Sequence, residues 1–323
     1  MMARVRVHAP ATLSNLGPGF DVLGLAIEQP GDYVEAEWSD TPGVEIVEVR
    51  GDSGRLTTDP TRNVVGIAAT AALLAFDARK TDRRPPGVRL WLDKRMPLAS
   101  GLGSSAASSV GGVLAVSELL GGVFDRNELI ACALEGERAV SGGVHADNVA
   151  PCVAGGIVLI RSYTPMELLS LPVPDALRVA VVHPHVSVVT AEARRLVTEH
   201  RFAIAQVVAN LGQLGALVTA LHRGDLELFG RAISDDLVEP IRASLVPGFA
   251  EVKQTALEAG ALGCSLSGSG PSVFAFASSD DQAAGLAVCM AARFREVAGL
   301  QSDTYVGRVN TRGARRVEAD EDE

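Results

Sequence analysis

Residues 97 to 112 read Pro-Leu-Ala-Ser-Gly-Leu-Gly-Ser-Ser-Ala-Ala-Ser-Ser-Val-Gly-Gly, and they lead into a helix-like run from Ala106 to Leu120. Apolar residues in that run recur at spacings of three and four, which predicts a helix. Because Gly101 and Gly103 carry no side chains, the backbone N–H groups of the loop can close on a ligand at the positive end of the helix dipole. The stretch is therefore predicted to bind a phosphate group.

Three alternative loop types fit this stretch less well. A Walker loop needs a Gly-Lys pair, and none of the three lysines in the chain follows a glycine. The glycine pattern of dinucleotide-binding loops is matched by Gly101-x-Gly103-x-x-Ala106. In such loops the glycines directly follow a strand, whereas the strand predicted over 87–93 ends well before Gly101. A flexible Gly/Ser linker is disfavoured because the flanking strand and helix are both predicted to be buried.

The composition disfavours nucleic acid and membrane surfaces as partners. The 323 residues are 47% hydrophobic and 21% charged, which is enough for two domains with cores of their own. With 29 basic and 39 acidic residues, the net charge of −10 disfavours nucleic acid or an anionic membrane as the main partner. The sequence contains no Cys-x-x-Cys pair, no signal-peptide pattern and no apolar stretch expected to span a bilayer. A cytoplasmic protein with free, buried cysteines is expected.

Three further motifs combine glycine or proline with polar side chains. The loop over 9–21 contains Asn15 and Asp21, and a single Asn or Asp in such a loop most often forms an Asx turn. Residues 145–151 read His-Ala-Asp-Asn-Val-Ala-Pro in a predicted glycine-flanked loop. A His–Asp pair there suggests a general base, although a lone His is more often structural. Residues 263–272 form a glycine-rich turn between two short predicted strands, and its glycines would let the backbone approach the phosphate loop.

These motifs resemble, in the expected order and over nearly the full chain, those of the galacto-, homoserine, mevalonate and phosphomevalonate (GHMP) kinase superfamily. The motifs over 9–21 and 145–151 are similar to those of homoserine kinases in particular. The resemblance implies a two-domain α+β fold, with a ribosomal-protein-S5-domain-2-like N-terminal domain over 1–156 and a ferredoxin-like C-terminal domain over 157–310. The acidic end of the chain predicts a disordered tail over 311–323.

The resemblance implies ATP and Mg²⁺ as cofactors. Ser105 and Glu137 are the implied magnesium ligands, and Glu137 is preferred to Glu135 because of its position relative to His145. Asn63 is implied to lie near the adenine, although a helix N-cap role suits it equally well. The expected nucleotide-binding residues are Asn63, Pro97, Leu98, Ala99, Ser100, Gly101, Leu102, Gly103, Ser104, Ser105, Ala106 and Ala107.

The substrate that the resemblance implies is L-homoserine, phosphorylated on its side-chain hydroxyl on the route to threonine. A carboxylate suits the substrate ammonium and a guanidinium suits its carboxylate. Asp21 is assigned the ammonium, Arg242 the carboxylate, and Arg194 either the carboxylate or the γ-phosphate. The expected substrate-binding residues are Asn15, Asp21, His145, Asn148, Thr190, Arg194, Arg242 and Gly268.

Asn148, Arg194 and Glu137 are expected to carry the catalysis. Sister kinases have a catalytic Asp where Asn148 is implied to stand, so no obvious base lies at the substrate hydroxyl. The loose transition state of phosphoryl transfer tolerates this, because positioning and charge neutralisation supply most of the rate. Two alternatives stay open: a sister kinase, which would have Asp at this position, and a non-catalytic sensor, which would have lost the magnesium carboxylate. Family members are often dimers, so by analogy alone a homodimer is expected.

Overall fold

The computed structural model describes residues 4–79, 84–141 and 145–318. The strands are β1 (Val5–Ser14), β2 (Leu23–Ser39), β3 (Gly43–Arg50), β4 (Gly87–Asp93), β5 (Ile157–Tyr163), β6 (Met166–Leu171), β7 (Arg178–Pro184), β8 (Gly263–Leu266), β9 (Val273–Ala277), β10 (Ser302–Arg308) and β11 (Arg315–Val317). The helices are α1 (Val64–Ala78), α2 (Ser104–Leu119), α3 (Arg126–Ser141), α4 (Ala146–Ala154), α5 (Thr190–Glu199), α6 (Ile204–Arg223), α7 (Leu226–Ala232), α8 (Glu239–Arg242), α9 (Phe249–Glu258) and α10 (Asp280–Ala298).

The first sheet is built around the long strand β2. Its order is β11-β1-β2-β4-β3, with β5 paired to β2 and β6 paired to β5. Strands β3 and β4 run parallel, and α1 lies in the crossover between them. In β1, Val5 and Val7 are buried, whereas Arg6 between them lies over the ring of Tyr33 on the opposite face. Helices α2 and α4 pack on β1 and β2, and α1 and α3 pack on α2.

The second sheet has the order β10-β7-β9-β8, and all its pairs are antiparallel. Counted along the chain, this arrangement and the intervening helices form the βαββαβ pattern of a ferredoxin-like unit. Helices α9 and α10 pack on the sheet, and α7 packs near β8. Phe229 and Phe276 are fully buried with their ring centroids 5.0 Å apart. The predicted two-domain α+β fold class is therefore confirmed.

Two stretches before α1 differ from the sequence-based expectation. The loop predicted over 9–21 begins only after Ser14, because β1 continues to that residue and stays paired with β2. The sequence predicts two separate strands over 22–27 and 33–37, whereas the structure has a single strand, β2, across both. Its first part pairs with β5 and its second part pairs with β4, so both parts keep a partner on each side.

The predicted loop around the His-Ala-Asp-Asn motif is instead helical from Ala146 onward, in α4. Proline lacks an N–H, so inside a helix it frees the carbonyl four residues earlier and usually ends the helix. Here Pro151 frees the carbonyl oxygen of Asp147, which packs against the bare backbone of Gly24, where any side chain would collide with it. Residues 142–144 of the predicted loop lie outside the described residues.

The sheets do not divide at the domain boundary predicted after residue 156. Strands β5 and β6 come after that residue, but they belong to the first sheet through β2. Strand β11 lies within the predicted tail over 311–323 and pairs with β1. Strand β5 pairs with the first part of β2, and β11 pairs with β1. Without these partners, that part of β2 and β1 would be open edges of the first sheet. Residues 319–323 lie outside the described residues, and the domain limits remain predictions.

One helix qualifies the expectation that no stretch could span a membrane. In the described part of the chain, α6 is long and apolar enough to do so by length and composition. Its Leu217 and Leu221 are buried, and Asn210 donates a hydrogen bond to the carbonyl of Pro18 at 2.9 Å. A single helix of this kind is weak evidence for a membrane span. Here α6 contacts the loop that follows β1.

Candidate active site

Loops of both sheets and the start of α2 surround a cavity of about 370 Å³. This volume is typical of pockets for small organic ligands. The cavity joins the predicted phosphate loop and the predicted substrate residues in one continuous space. The predicted site residues that line it are Asn15, Asp21, Asn63, Leu98, Ala99, Ser100, Gly101, Gly103, Ser104, Ser105, Glu137, His145, Asn148, Thr190, Arg194, Arg242 and Gly268.

Four of the predicted nucleotide-binding residues do not line this cavity. Leu102, Ala106 and Ala107 are fully buried behind the loop, where their side chains belong to the hydrophobic core. Pro97 lies before the part of the loop that reaches the cavity. Core residues alternate with ligand-facing ones here because successive side chains at a helix start point in different directions.

The phosphate loop rests on the glycine-rich turn between β8 and β9. Gly101 has a φ of +77°, and a Cβ atom there would lie 2.5 Å from the carbonyl oxygen of Ser267 and 2.7 Å from that of Gly270. The hydroxyl of Ser267 donates to the carbonyl of Gly101 at 2.6 Å, and the N–H of Ser272 donates to that of Ser100 at 3.2 Å. This close backbone contact is the one predicted for the turn over 263–272.

The start of α2 offers unpaired donors to the cavity. The helix begins at Ser104, and its N-cap Gly103 provides no side chain for the first turn. Backbone N–H groups of an uncapped first turn can bind an anion, assisted by the helix dipole. The Ser104 hydroxyl is also buried without a hydrogen-bond partner among the described residues. This helix start therefore presents hydrogen-bond donors of the kind that suit an anion.

A buried lysine lies beneath the first turn of α2, although the loop itself contains none. Lys94 follows β4 and forms an ion pair with Asp32, and both side chains are almost fully buried. The Nζ atom of Lys94 also donates to the carbonyl of Ser104 at 2.8 Å and to the Oγ atom of Ser108 at 3.0 Å. Lys94 thus ties the end of β4 to the first turn of α2, at the wall of the cavity.

Glu137 on α3 faces the cavity, whereas Glu135 does not. The hydroxyl of Ser105 donates to one carboxylate oxygen of Glu137 at 3.0 Å, and that of Ser109 donates to the other at 3.4 Å. Glu135 is exposed and binds Arg138. Burial raises the pKa of Glu137 to about 7, and the two serine hydrogen bonds oppose that rise.

Ser105 and Glu137 have the chemistry of a magnesium site. Mg²⁺ binds hard oxygen ligands, and it usually takes one or two carboxylates together with waters and substrate phosphates. Glu137 is only 8% exposed and accepts a hydrogen bond from Ser105 in the first turn of α2, so a divalent cation would stabilise its ionised form. The residues present therefore fit Mg²⁺.

Asn63 lines the cavity as the N-cap of α1. Its Oδ1 atom accepts from the N–H of Val65 at 3.2 Å, and its Nδ2 atom donates to the carbonyl of Thr57 at 2.7 Å. The amide is thus engaged within the protein, and the N-cap role is the one observed. Leu56 and Thr57 line the cavity beside it, although the sequence did not single them out.

Asp21 and Arg194 form an ion pair inside the cavity. The two terminal nitrogens of Arg194 donate to the two carboxylate oxygens of Asp21 at 2.6 and 2.7 Å. One of these nitrogens also lies 2.9 Å from the Nδ1 atom of His145. Burial, followed by the charge of Arg194, lowers the pKa of His145, so a neutral ring can accept this hydrogen bond. Thr190, one helical turn before Arg194, lines the same cavity, whereas Arg195 points away to the surface.

The ring of Phe20 lies beside both arginines of the site. Its centroid is 4.8 Å from the guanidinium carbon of Arg194 and 5.0 Å from that of Arg242. Cation–π attraction at these distances favours both positions. An aromatic ring beside both guanidiniums helps to hold two like charges in one small cavity.

Arg242 is the less compensated of the two arginines. It is buried, and it donates a hydrogen bond to the carbonyl of Gly268 at 2.7 Å. Burial and the charge of Arg194 lower the pKa of Arg242 to about 10. Glu239, three residues earlier, pairs with Lys253 rather than with Arg242. Among the described residues, Arg242 forms no ion pair with a carboxylate.

Hydrogen bonds orient the amides of Asn148 and Asn15. The buried hydroxyl of Thr12 donates to the Oδ1 atom of Asn148 at 2.8 Å, which leaves the Nδ2 side as the donor for the cavity. The Nδ2 atom of Asn15 donates to the carbonyl of Gly268 at 3.3 Å, and its Oδ1 atom accepts from the N–H of Asp21 at 3.2 Å. Asn15 therefore acts mainly on the shape of the loop that carries Asp21.

Asp147 lies beside Asn148 in the first turn of α4 and lines the cavity. It is 4% exposed, and its Oδ1 atom is buried without a hydrogen-bond partner among the described residues. Burial, followed by the charge of Asp21, raises the pKa of Asp147 to about 7. Nearby, the hydroxyl of Tyr163 donates to the carbonyl of Asp21 at 2.6 Å and accepts from the N–H of Ala146 at 3.4 Å.

Beyond Leu56 and Thr57, sequence reasoning did not assign Thr12, Phe20 or Lys94 to the site, and it considered Asp147 only as part of a His–Asp base pair. Thr12 and Phe20 stand inside the motif over 9–21 and Asp147 inside the motif over 145–151, so the motifs themselves carried the signal. Lys94 is one of only three lysines and lies three residues before the phosphate loop. Its partner Asp32 carried no such signal, because nothing in the sequence places that part of β2 under α2.

The fold and the site define a small-molecule kinase of the GHMP type, and the chain belongs to the GHMP kinase family. Residues 65–156 match the family model of the GHMP kinases N terminal domain. Residues 217–296 match the family model named GHMP kinases C terminal.

The relatives of this chain include several homoserine kinases. The homoserine kinase of Chloroherpeton thalassium is 41% identical over 97% of this chain and 99% of its own length. The homoserine kinase of Pyrococcus abyssi is 40% identical over 96% of this chain and 98% of its own length. The crystal structure of homoserine kinase from Cytophaga hutchinsonii has a TM-score of 0.92 and 45% identity, and 98% of each chain is covered.

Proposed function

We propose that this protein transfers the γ-phosphoryl group of ATP to the side-chain hydroxyl of L-homoserine. The products are ADP and O-phospho-L-homoserine, an intermediate on the route to threonine. The observation that carries the proposal is a single cavity that joins an anion-binding helix start to two arginines and two aspartates. A substrate with its own carboxylate and ammonium matches the second group. Identity of 41% and 45% to homoserine kinases over nearly the full chain supports the assignment.

The phosphates of ATP belong at the start of α2 in this proposal. The backbone N–H groups from Ser100 to Ser105 cradle them, and Lys94 beneath the turn holds the first turn of α2 in position. Ser105 and Glu137 would hold Mg²⁺, which neutralises charge on the β- and γ-phosphates when it is bound. The turn over 263–272 keeps the loop in place from behind.

The amino acid belongs on the other side of the cavity. Arg242 has no carboxylate partner among the described residues, so it is the group that takes the carboxylate of the substrate. The Nδ2 group of Asn148 faces the cavity because Thr12 holds its Oδ1 atom, and it orients the hydroxyl towards the γ-phosphate. No carboxylate base is assigned at the hydroxyl, since a loose transition state keeps the hydroxyl proton until late in the transfer.

Release of ADP with three candidate alcohols tests the proposal. The purified protein with MgATP is expected to release ADP with L-homoserine, and not with mevalonate or galactose. ³¹P NMR of the product is expected to show a phosphate ester on the homoserine oxygen. Turnover of mevalonate or galactose in place of homoserine would identify a sister kinase. Binding of ATP and homoserine without any ADP release would identify a sensor.

The variant Glu137→Gln tests whether Glu137 acts as a magnesium ligand rather than as a residue that stabilises the fold. This variant is expected to keep its melting temperature within a few degrees and to lose about 100-fold or more in kcat, because phosphoryl transfer depends on a neutralising metal. The homodimer expected by analogy remains a prediction, and sedimentation velocity of the same preparation measures it.

A further inference from the structure

We propose that the outer face of α6 is the surface through which two copies of this chain pair as an antiparallel, two-fold symmetric dimer. Analogy with relatives gives only the number of copies, whereas the shape and charge of α6 assign the surface, the orientation and the residues that meet. The outer face consists of Ile204, Val208, Leu211, Gly212, Gly215 and Thr219, all of which are exposed.

The outer face of α6 is apolar, unlike that of an ordinary surface helix. Ile204, Val208 and Leu211 are 78%, 62% and 61% exposed. They share one side of the helix, because residues three, four and seven apart lie on the same face. The opposite side buries Leu217 and Leu221 in the core. The helix contains no Asp, Glu, Lys or Arg before its final residue, and a contiguous apolar patch of this kind marks an interaction site.

Two glycines lie on the same outer face. A Cβ atom on Gly212 or Gly215 would meet nothing within 4 Å in the part of the chain that the structure describes. Glycine is the least favourable residue inside a helix after proline, and an alanine would fit at both positions. Packing within the chain therefore gives no reason for these glycines. Close approach of a second molecule does give one, because glycine lets two backbones come together.

The large and small residues of the outer face are arranged so that the face matches itself. A two-fold interface uses the same patch on both copies, so each large side chain needs a small residue opposite it. A two-fold axis that passes between Leu211 and Gly212 meets this need when the two helices run antiparallel. The pairs that it forms between the two copies are Leu211 with Gly212, Val208 with Gly215, and Ile204 with Thr219. The hydroxyl of Thr219 donates to the carbonyl of Gly215 at 2.8 Å, so it keeps a partner when it is covered.

The charges at the two ends of α6 favour the same antiparallel orientation. Glu199 and Arg201 precede the helix, and Arg223 and Asp225 stand at its other end. In the antiparallel dimer, Arg201 of one copy lies towards Asp225 of the other, and Arg223 lies towards Glu199. A parallel dimer would place each of these charges beside the same charge of the second copy, which disfavours association. A second copy of this chain therefore fits the outer face in both shape and charge.

The oligomeric state in solution tests this interface. Sedimentation velocity of the full chain without ligands is expected to show a dimer at concentrations up to about 100 µM. Val208→Glu is expected to raise the dissociation constant of the dimer by about 100-fold or more, because the two-fold axis buries the new charge twice without a partner. Val288→Glu is the matched control. Val288 lies on α10 and is 70% exposed, so its substitution is expected to leave the dissociation constant unchanged.

The variant Gly215→Leu tests the shape of the outer face without adding a charge. It is expected to raise the dissociation constant by about 10-fold or more, because leucine fills the space that Val208 of the second copy would occupy. Leucine favours a helix more than glycine does, so the helical content of the variant is expected to be kept or raised. Far-UV circular dichroism measures that content and separates loss of the dimer from loss of the fold.

Engineered cysteines measure the orientation of the two helices. Mild oxidation of an equal mixture of Val208→Cys and Gly215→Cys is expected to give a disulfide-linked dimer that contains one chain of each variant, because the antiparallel pairing brings these two positions together. Val208→Cys alone is expected to remain uncrosslinked. The unmodified protein is the control, since three of its four cysteines are buried and the fourth is half-buried.

Several outcomes would overturn the proposal. A chain that stays monomeric at about 100 µM would do so, whether or not it co-sediments with phosphatidylcholine vesicles, the other surface that an apolar face could meet. A dimer that persists in both Val208→Glu and Gly215→Leu would do so, as would equal weakening by Val208→Glu and Val288→Glu. Crosslinking of Val208→Cys to itself in preference to Gly215→Cys would contradict the antiparallel pairing. No readout involves release of ADP, so failure of the interface is distinguishable from failure of the proposed function.

Discussion

The guanidinium of Arg194 and the carboxylate of Asp21 form a bidentate ion pair at 2.6 and 2.7 Å, although 173 residues separate them in the chain. The pair joins α5 to the loop that follows β1 across the substrate cavity. Its two parallel hydrogen bonds hold the guanidinium plane in a single orientation. The pair therefore sets the distance between two walls of the site.

Arg194→Lys is expected to lower kcat/KM for homoserine by about 100-fold, because a lysine cannot make the bidentate contact. Its affinity for ATP is expected to stay within about threefold, since Arg194 lies on the substrate side. Steady-state kinetics and calorimetry measure the two effects. Arg195→Lys is the control: Arg195 is exposed and binds Glu199, so its kinetics are expected to match those of the unmodified protein. Equal losses in both variants would contradict the prediction.

Lys94→Met is expected to lower the free energy of unfolding by about 3 to 5 kcal/mol, because it leaves the buried carboxylate of Asp32 without its ion-pair partner. Urea denaturation followed by circular dichroism measures this loss. The double variant Asp32→Asn with Lys94→Met removes both charges, and it is expected to be more stable than the single Lys94 variant. A double variant whose loss equals the sum of the two single losses would show that the pair does not couple.

Gly101→Ala is expected to raise the KM for ATP by about 10-fold or more, because a Cβ atom would press on the turn behind the phosphate loop and shift it. The variant Gly122→Ala is the control, because it introduces a similar backbone strain without the contact. Gly122 has a φ of +75°, close to the +77° of Gly101, but a Cβ atom there would meet nothing within 4 Å. The control is expected to lose some stability and to keep its KM. Similar KM values for the two variants would contradict a role for the contact.

The stability of the ligand-free protein is expected to depend on pH through Asp147, whose pKa is raised by burial to about 7. Between pH 4 and 7 the folded protein keeps a proton that the unfolded chain releases, so the contribution of this group to stability falls as the pH rises. Its charged neighbours are Asp21, Arg194 and Arg242, and Tyr163 lies beside it.

Asp147→Asn removes that ionisation while keeping the shape of the side chain. In the absence of ligands, the variant is expected to gain stability over the unmodified protein as the pH rises from 4 to 7, by about 2 to 4 kcal/mol in all. The gain is expected to level off above pH 7. Urea denaturation at pH 5, 6, 7 and 8 measures it, and a stability difference that stays constant with pH would contradict the prediction.

Much of the fold could be predicted from local patterns. The strand over 87–93, the helix that begins after Asn63 and the turn at 268–270 were each predicted from spacing or from glycine, because those signals act within a few residues. Helix α4 was missed because the flanking glycines predicted a loop, and the helix also contains Pro151. In the structure, the carbonyl oxygen of Asp147 that this proline leaves free packs against the bare backbone of Gly24.

The site was predicted residue by residue, but its pairings were not. The motifs named Asp21, Arg194 and Arg242, and all three line the cavity. Which carboxylate meets which guanidinium depends on α5 and α8 lying across from the loop after β1, and no local pattern encodes that distance. The buried partner of Lys94 could not be predicted for the same reason, since Asp32 lies 62 residues earlier in the chain.

The hydroxyl of Ser267 supports Gly101 from a position 166 residues later in the chain. During synthesis, the phosphate loop that contains Gly101 therefore leaves the ribosome long before the turn that contains Ser267 has been made. A nascent chain that ends before Ser267 has the phosphate loop but not the turn that supports it. The phosphate loop is therefore expected to reach its folded shape only after synthesis has passed Ser267.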